Sequence, residues 1–236
     1  MYNLIFTLYI LKIFVLYFIY IMSVVKYRRP LNKNQIHIIN LLYKFRYINS
    51  RQFAKYLNVN PRVANERLRI LLDQDYLGRF YDKSYKLKGD PAIYYLRPKS
   101  LAFLKTQTYF NHDAIFIHYR NKISSQTLIN HHIKVFDIFQ ELKNKYDDKY
   151  RFITKTELTN KHKLDILMIK PNREQTGIIY ISKTLANRNV STYIQNIINS
   201  NDFNDLMIFY TKTSLTRLLQ NIMDQYADLR IIKIID

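Results

Sequence analysis

Arginine, asparagine and glutamate stand close together at Arg62, Asn65 and Glu66, within the stretch NVNPRVANERLRILLD. Each side chain has a base edge to read in a DNA major groove. Arginine pairs bidentately with guanine, asparagine does so with adenine, and glutamate accepts from the cytosine amino group. Arg67 and Arg69 follow on the same segment and Arg51 precedes it. These three are expected on phosphates, where a charge positions the protein without specifying sequence. Asn60 opens the segment and is grouped with this contact surface. Further along, DKSYKLKGDP carries Lys83, Lys86 and Lys88, a second basic cluster suited to the backbone or the adjacent minor groove.

These groups act together only if a helix presents the first set and a turn presents the second. Asn34–Phe45 places Ile38, Leu41, Leu42 and Phe45 on one helical face, with Ile39 flanking it. Ser50 is a credible N-cap for a helix over Arg51–Leu57, whose buried side would be Phe53, Ala54 and Leu57. Asn58-Val59-Asn60 forms a turn, Asn60 caps the next helix, and Pro61 takes its first position, where a missing N–H costs nothing. That helix, Pro61–Asp75, buries Ala64, Leu68, Leu71 and Leu72 and turns the arginines outward. Tyr76-Leu77-Gly78 ends it, Arg79–Tyr81 and Ala92–Arg97 read as paired strands around a lysine-rich loop, and Pro98-Lys99-Ser100 opens a short helix. The pattern is that of a winged helix-turn-helix over residues 30–105, whose second helix enters the major groove by its N-terminal half.

The charge agrees with this. The net charge is +19, and residues 26–105 hold 18 Lys and Arg against 5 Asp and Glu, while residues 106–236 hold 18 against 13. The positive excess lies where a phosphate-binding face is expected. There is no cysteine, which excludes disulfides and thiolate zinc sites. The glycines are Gly78, Gly89 and Gly177, too few for a P-loop or a dinucleotide-binding fingerprint. No cofactor and no bound metal are expected.

Residues 106–126 read as a mixed connector. Thr127–Tyr146 follows as an amphipathic helix with Leu128, Ile133, Val135, Phe136, Phe139 and Leu142 apolar. Strand-like runs at Arg151–Leu158, Leu164–Lys170 and Gly177–Ser182 precede a helix at Asn189–Asn199 and a strand at Asp205–Tyr210. A helix at Leu215–Tyr226 and a final run at Leu229–Ile235 complete the chain. The order αβββαβ, then αβ, predicts an α/β domain with a mixed sheet over residues 127–236, and an α+β protein as a whole. His131 and His132 are adjacent and diverge by about 100° on a helix, so they do not share a metal; one is expected against the sheet and the other in water. The His-hydrophobic-His spacing of a rolling-circle relaxase is absent, and with 21 tyrosines no single nucleophile stands out.

Leu4–Ile21 is an 18-residue apolar run with Lys12 near its middle. A central lysine costs roughly 2.5–3.5 kcal/mol, and 13 Leu, Ile, Phe and Val residues at about −0.3 to −0.6 kcal/mol each outweigh it. Residues 1–22 are therefore a membrane anchor, held with its C-terminal side in the cytoplasm by Lys26, Arg28 and Arg29, or translated sequence ahead of a true start at Met22. The second reading is preferred and gives a cytoplasmic protein.

The segments LLYKFRYINSRQFAKYLNVNPRVANERLRILL and YYLRPKSLAFL resemble the N-terminal winged helix of the replication-relaxation family of plasmids and mobile elements. INHHIKVFDIF, KLDILMIK and IIYISKT resemble the helix and two strands that follow in that family, so that the likeness covers about residues 34–225. The resemblance implies a DNA-binding protein linked to plasmid replication or relaxation, with a second domain similar to the restriction-endonuclease fold. That fold cuts DNA with clustered carboxylates and a lysine that hold Mg²⁺ and the attacking water. It implies Asp165 as the first metal-binding aspartate, with Glu157 and Lys183 as its companions; Tyr180, Ile181 and Ser182 stand where a second carboxylate belongs.

The leading expectation is a sequence-specific, non-catalytic protein of double-stranded DNA, whose second domain mediates dimerisation into a homodimer, partner docking or further DNA contact. A Mg²⁺-dependent nuclease using Asp165, Glu157 and Lys183 is the alternative, and a membrane-tethered winged-helix interaction module is the third. On the leading reading Arg62→Ala relaxes base preference, whereas Lys86→Ala weakens binding evenly and flattens the salt slope by about one.

Overall fold

Capping residues decide where the first helices begin. The computed structural model describes residues 30–108, 110–158, 163–182, 190–200, 203–210, 215–224 and 229–233. Helix α1 spans Lys33–Phe45 and buries Ile38, Ile39, Leu41, Leu42 and Phe45, the face its spacing predicts. Strand β1 (Ile48–Asn49) is only two residues long, and it holds Asn49 in an extended conformation at the mouth of helix α2 (Ser50–Leu57). The N-cap is therefore Asn49 and not Ser50. The Asn49 side chain accepts from the Gln52 amide and the Gln52 side chain accepts from the Asn49 amide, a reciprocal capping box.

Helix α3 (Pro61–Asp73) begins as expected: Asn60 Oδ1 accepts from the Arg62 amide at 2.8 Å and Pro61 fills the first turn. It buries Ala64, Leu68 and Leu71 and stops two residues short of the expected end, with Asp75 in the left-handed region at φ 65°. Gly78 does not end this helix. It lies within strand β2 (Leu77–Phe80), which pairs antiparallel with β3 (Ile93–Leu96) from Leu77↔Leu96 to Phe80↔Ile93. β1 joins the other edge of β3, giving a sheet of order β1-β3-β2. Helix–strand–helix–helix–strand–strand in this order is the winged-helix arrangement.

The wing tip is a helix where a loop is expected. Helix α4 (Lys83–Lys88) starts at Asp82, whose carboxylate accepts from the Ser84 and Tyr85 amides, and it ends at Gly89 with φ 68°. An N-cap aspartate and a left-handed glycine seven residues later are enough to close this short helix. Helix α5 (Pro98–Lys105) then secures the end of α3: the Ser100 hydroxyl donates to the Tyr76 carbonyl and Lys99 Nζ to the Gln74 carbonyl, each at 2.6 Å. The connector also carries structure of its own, helix α6 (His112–His118) and a 3₁₀ turn (Asn121–Ile123).

Helix α7 (Gln126–Lys145) precedes strands β4 (Arg151–Thr154), β5 (Ile166–Ile169) and β6 (Gln175–Ile181), helix α8 (Val190–Ser200), strand β7 (Asp205–Tyr210), helix α9 (Thr216–Met223) and strand β8 (Leu229–Lys233). The element order is the one the periodicity predicts. The sheet runs β4-β5-β6-β7-β8, antiparallel up to β6 and parallel beyond it, as expected when helical crossovers replace tight turns. Ile179, Ile181, Ile194, Ile197, Ile208 and Leu219 form its buried core. β4 ends at Thr154 and not Leu158, because the Glu157 carboxylate takes the Thr154 amide and turns the chain.

Contacts divide the chain into Met1–Ile36 and His37–Asp236. Within the second unit, α7 packs against the winged helix on one side and the sheet on the other. Phe45 meets Phe136 and Phe139 at 4.8 and 4.7 Å between ring centres, and Tyr47, Ile93 and Tyr95 pack on Ile129. Gln52 is buried and donates to the Ile133 carbonyl and the Asp137 carboxylate, while Gln140 donates to the Gln52 carbonyl. The apolar run Leu4–Ile21 lies outside the described residues; among those described, no helix is long and apolar enough to cross a membrane.

Candidate nucleic-acid interface

Helix α3 turns Arg62, Asn65, Glu66 and Arg69 to solvent, and Arg67 is partly covered. Ala64 and Leu68 anchor the opposite face, so rotation of the helix would expose them to water. Glu66 and Arg69 are not independent. Arg69 grips the carboxylate through two bonds of 2.8 and 3.1 Å, and this hydrogen bonding holds the Glu66 carboxyl below its ordinary range. Arg62 and Asn65 are thus presented singly, and Glu66 is presented as a pair with Arg69.

Two expected contact residues have structural work. The Asn60 side-chain oxygen is committed to the cap of α3. Arg51 Nη2 donates to the Gly89 carbonyl at 2.8 Å, bracing α2 against the root of the wing. Lys83, Lys86 and Lys88 are all exposed, but the helix separates them. Lys83 and Lys86 share a side, and Lys88 points about 140–160° away. Leu87, 87% exposed, projects beside Lys83. An apolar wing-tip residue had no signal in a segment read as a loop.

The carboxylates implied by the family resemblance are held apart by their partners. Asp165, just ahead of β5, is 6% exposed; it accepts from the Tyr180 amide at 2.8 Å and pairs with His131 Nε2 at 2.9 Å. Burial pushes its carboxyl up, yet His131, Lys155 and the Tyr180 amide together outweigh burial and leave it below its ordinary value. Glu157 pairs with Lys44 at 2.9 Å and accepts from the Thr154 amide and hydroxyl. Lys183 lies outside the described residues. Among the described residues no cluster of three or more histidine and acidic side chains is arranged to hold a metal ion.

Neither adjacent histidine is simply wet. His131 faces Asp165 and the Tyr180 ring, and His132 lies 5.8 Å from the Tyr47 ring. Burial, then Arg46 and His131, depress the His132 pKa well below the usual 6.5. A fully buried histidine, His118, belongs to a polar knot that the sequence did not announce. Arg46 donates twice to Asn121 Oδ1, at 2.9 and 3.2 Å, and the Tyr47 hydroxyl donates to the Asn121 carbonyl. Asn121 Nδ2 donates to His118 Nδ1. Burial and the nearby Arg46 charge push the His118 pKa down to about 3.

A pH dependence follows. Below pH 6.5 the unfolded chain protonates these histidines while the folded protein keeps them neutral, so stability falls as pH drops. His118 alone should remove about 1.4 kcal/mol between pH 7.5 and 5.5. His132 and His37, whose pKa values are also lowered, act in the same direction. Asp165 does not contribute there: its stabilisation is present above the ordinary 3.8 and is lost as pH falls below it. Urea unfolding at the two pH values measures the effect, and His118→Gln should flatten it. Equal midpoints for the parent at both pH values would contradict the buried neutral histidines.

Among solved structures, the chain has only distant likenesses. It aligns with a mutant of ZitR from Lactococcus lactis at 17% identity and a TM-score of 0.27, covering 52% of this chain and 68% of that one. It aligns with the adhesin competence repressor AdcR from Streptococcus pyogenes at 14% identity and a TM-score of 0.27, covering 59% and 85%. No curated protein matches the chain. The replication-relaxation family model matches residues 39–164, from within α1, through the winged helix and α7, to the residue before Asp165. That match takes in more than half of the 236 residues, and the chain belongs to the replication-relaxation family.

Proposed function

We propose that this protein binds double-stranded DNA in a sequence-dependent way through α3 and the wing, in the replication or relaxation of a plasmid or mobile element or in the regulation of that process. The observation that carries the reading is the two-sided helix α3. Its apolar side is locked into the core while Arg62 and Asn65 project singly from its capped N-terminal half, with the basic wing tip on the same module. Selection of bound duplexes from a randomised pool tests it. The parent should enrich a defined motif, and Arg62→Ala should lose preference at one position, a discrimination worth about 1–3 kcal/mol. An unchanged motif would count against Arg62 as a base reader.

We infer further that the α/β region acts as a body for this module and does not cut DNA. Its αβββαβ order and the aspartate ahead of β5 support kinship with the restriction-endonuclease fold. Both Asp165 oxygens already have protein partners, and Glu157 is paired with Lys44. A cytoplasmic location fits a protein that works on DNA. With Mg²⁺ or Mn²⁺, the protein should leave supercoiled plasmid intact. Nicking by the parent that disappears in Asp165→Asn would overturn this reading.

A further inference from the structure

A cleft of about 510 Å³ opens between Arg46, just after α1, helices α6 and α7, and the residues that follow β4 and β6. Its size falls in the usual range for small-molecule sites, about 300–1,000 Å³. Arg46, His131, His132 and Lys155 supply its basic lining, with Ser125, Thr127, Thr156 and Ser182 between them, and Ile117 and Leu128 form an apolar wall.

Arg46 is the unusual member. It is 8% exposed, and its partners among the described residues are Asn121, the Ile117 carbonyl and the Tyr47 ring, none of which carries a negative charge. A buried guanidinium held only by neutral groups is costly, and an anion is what offsets that cost. The residue is also held in the left-handed region at φ 64°, where glycine or asparagine normally ends a helix. Backbone strain of this kind persists where the surrounding structure fixes a side chain in place. Lys155 is exposed at the mouth, and Ser125, the N-cap of α7, lies at its rim. Asp165, which pairs with the lining residue His131, accepts from His131 and from the Tyr180 amide and is not a partner of Arg46.

We propose that this cleft binds a small phosphate ester of about mononucleotide size, its phosphate between Arg46, Lys155 and His131 and its organic half against Ile117 and Leu128. The site is separate from α3 and the wing, so it stands or falls independently of the DNA-binding reading.

Calorimetric titration of the full chain with orthophosphate, adenosine 5′-monophosphate and adenosine tests it. The monophosphate should bind saturably with a Kd below about 1 mM, orthophosphate should compete, and adenosine should not bind. Lys155→Gln, a change at an exposed position outside the core, should weaken the monophosphate about tenfold or more, as should His131→Gln. Absence of saturable binding by both phosphates, or affinity unchanged in both variants, would overturn the proposal. Displacement of the monophosphate by a short duplex, undiminished when Lys83 and Lys86 are both replaced by alanine, would assign the cleft to the DNA backbone and overturn the small-ligand assignment. DNA binding that fails while the monophosphate still binds would reject the function proposed above and leave the cleft intact.

Discussion

Replacing Lys83 and Lys86 together with alanine is expected to flatten the salt slope of DNA binding by about 1.8 and to weaken binding roughly 60-fold at 0.1 M salt. The size follows from counterion release: each neutralised phosphate contributes about 0.9 to the slope of log K against log salt, and the two contributions add. The choice of pair follows from the structure. Because the wing tip is helix α4, Lys83 and Lys86 lie on one side of it and can meet one strand of phosphates together. Lys88 points elsewhere, so Lys88→Ala should change the slope by much less. Fluorescence anisotropy of a labelled 20-base-pair duplex across a salt series measures both. Equal effects from Lys88 and from either of the other two would mean that the wing meets DNA as an unstructured loop.

Gly78→Ala is expected to destabilise the protein by about 3 kcal/mol, the upper end of the usual cost of overpacking a core. Gly78 and Tyr95 are opposite one another on β2 and β3, and the tyrosine ring lies across the glycine. A Cβ at Gly78 would sit 2.3 Å from the Tyr95 ring, far inside van der Waals contact. The ring cannot swing away cheaply, because it is 8% exposed and packed 4.8 Å from Phe80. What the position requires is room, since its backbone is not in the left-handed region. Denaturant unfolding of Gly78→Ala, Tyr95→Ala and the double variant measures the coupling. Most of the cost of Gly78→Ala should vanish once Tyr95 is gone; strictly additive losses would contradict the packing account.

The parts of this fold that repeat were legible in the chain. Apolar spacing marks α1, α3 and α7, Asn60-Pro61 marks the start of α3, and the apolar run Asp205–Tyr210 coincides with β7. What escaped was either too short to show a period or built from distant residues. β1 has two residues and α4 has six, less than an amphipathic pattern needs, although Asp82 and Gly89 are recognisable caps in hindsight. Tyr95 covers Gly78 from 17 positions away, and Arg46 meets Asn121 across 75 residues. Arg46 also takes a left-handed conformation that its residue type does not advertise. Asp165 was legible as a notable aspartate, but its pairing with His131 depends on how α7 lies against the sheet.

On the proposed function, α3 and the wing hold duplex DNA through phosphates as well as bases. The most direct measurement is the salt dependence of anisotropy binding by the parent to a random-sequence duplex. With Arg67, Lys83 and Lys86 on phosphates, and Arg69 neutralised by Glu66, the slope of log K against log salt should be about −2.7. Absence of measurable binding at low salt, or binding whose slope is near zero, would contradict the claim.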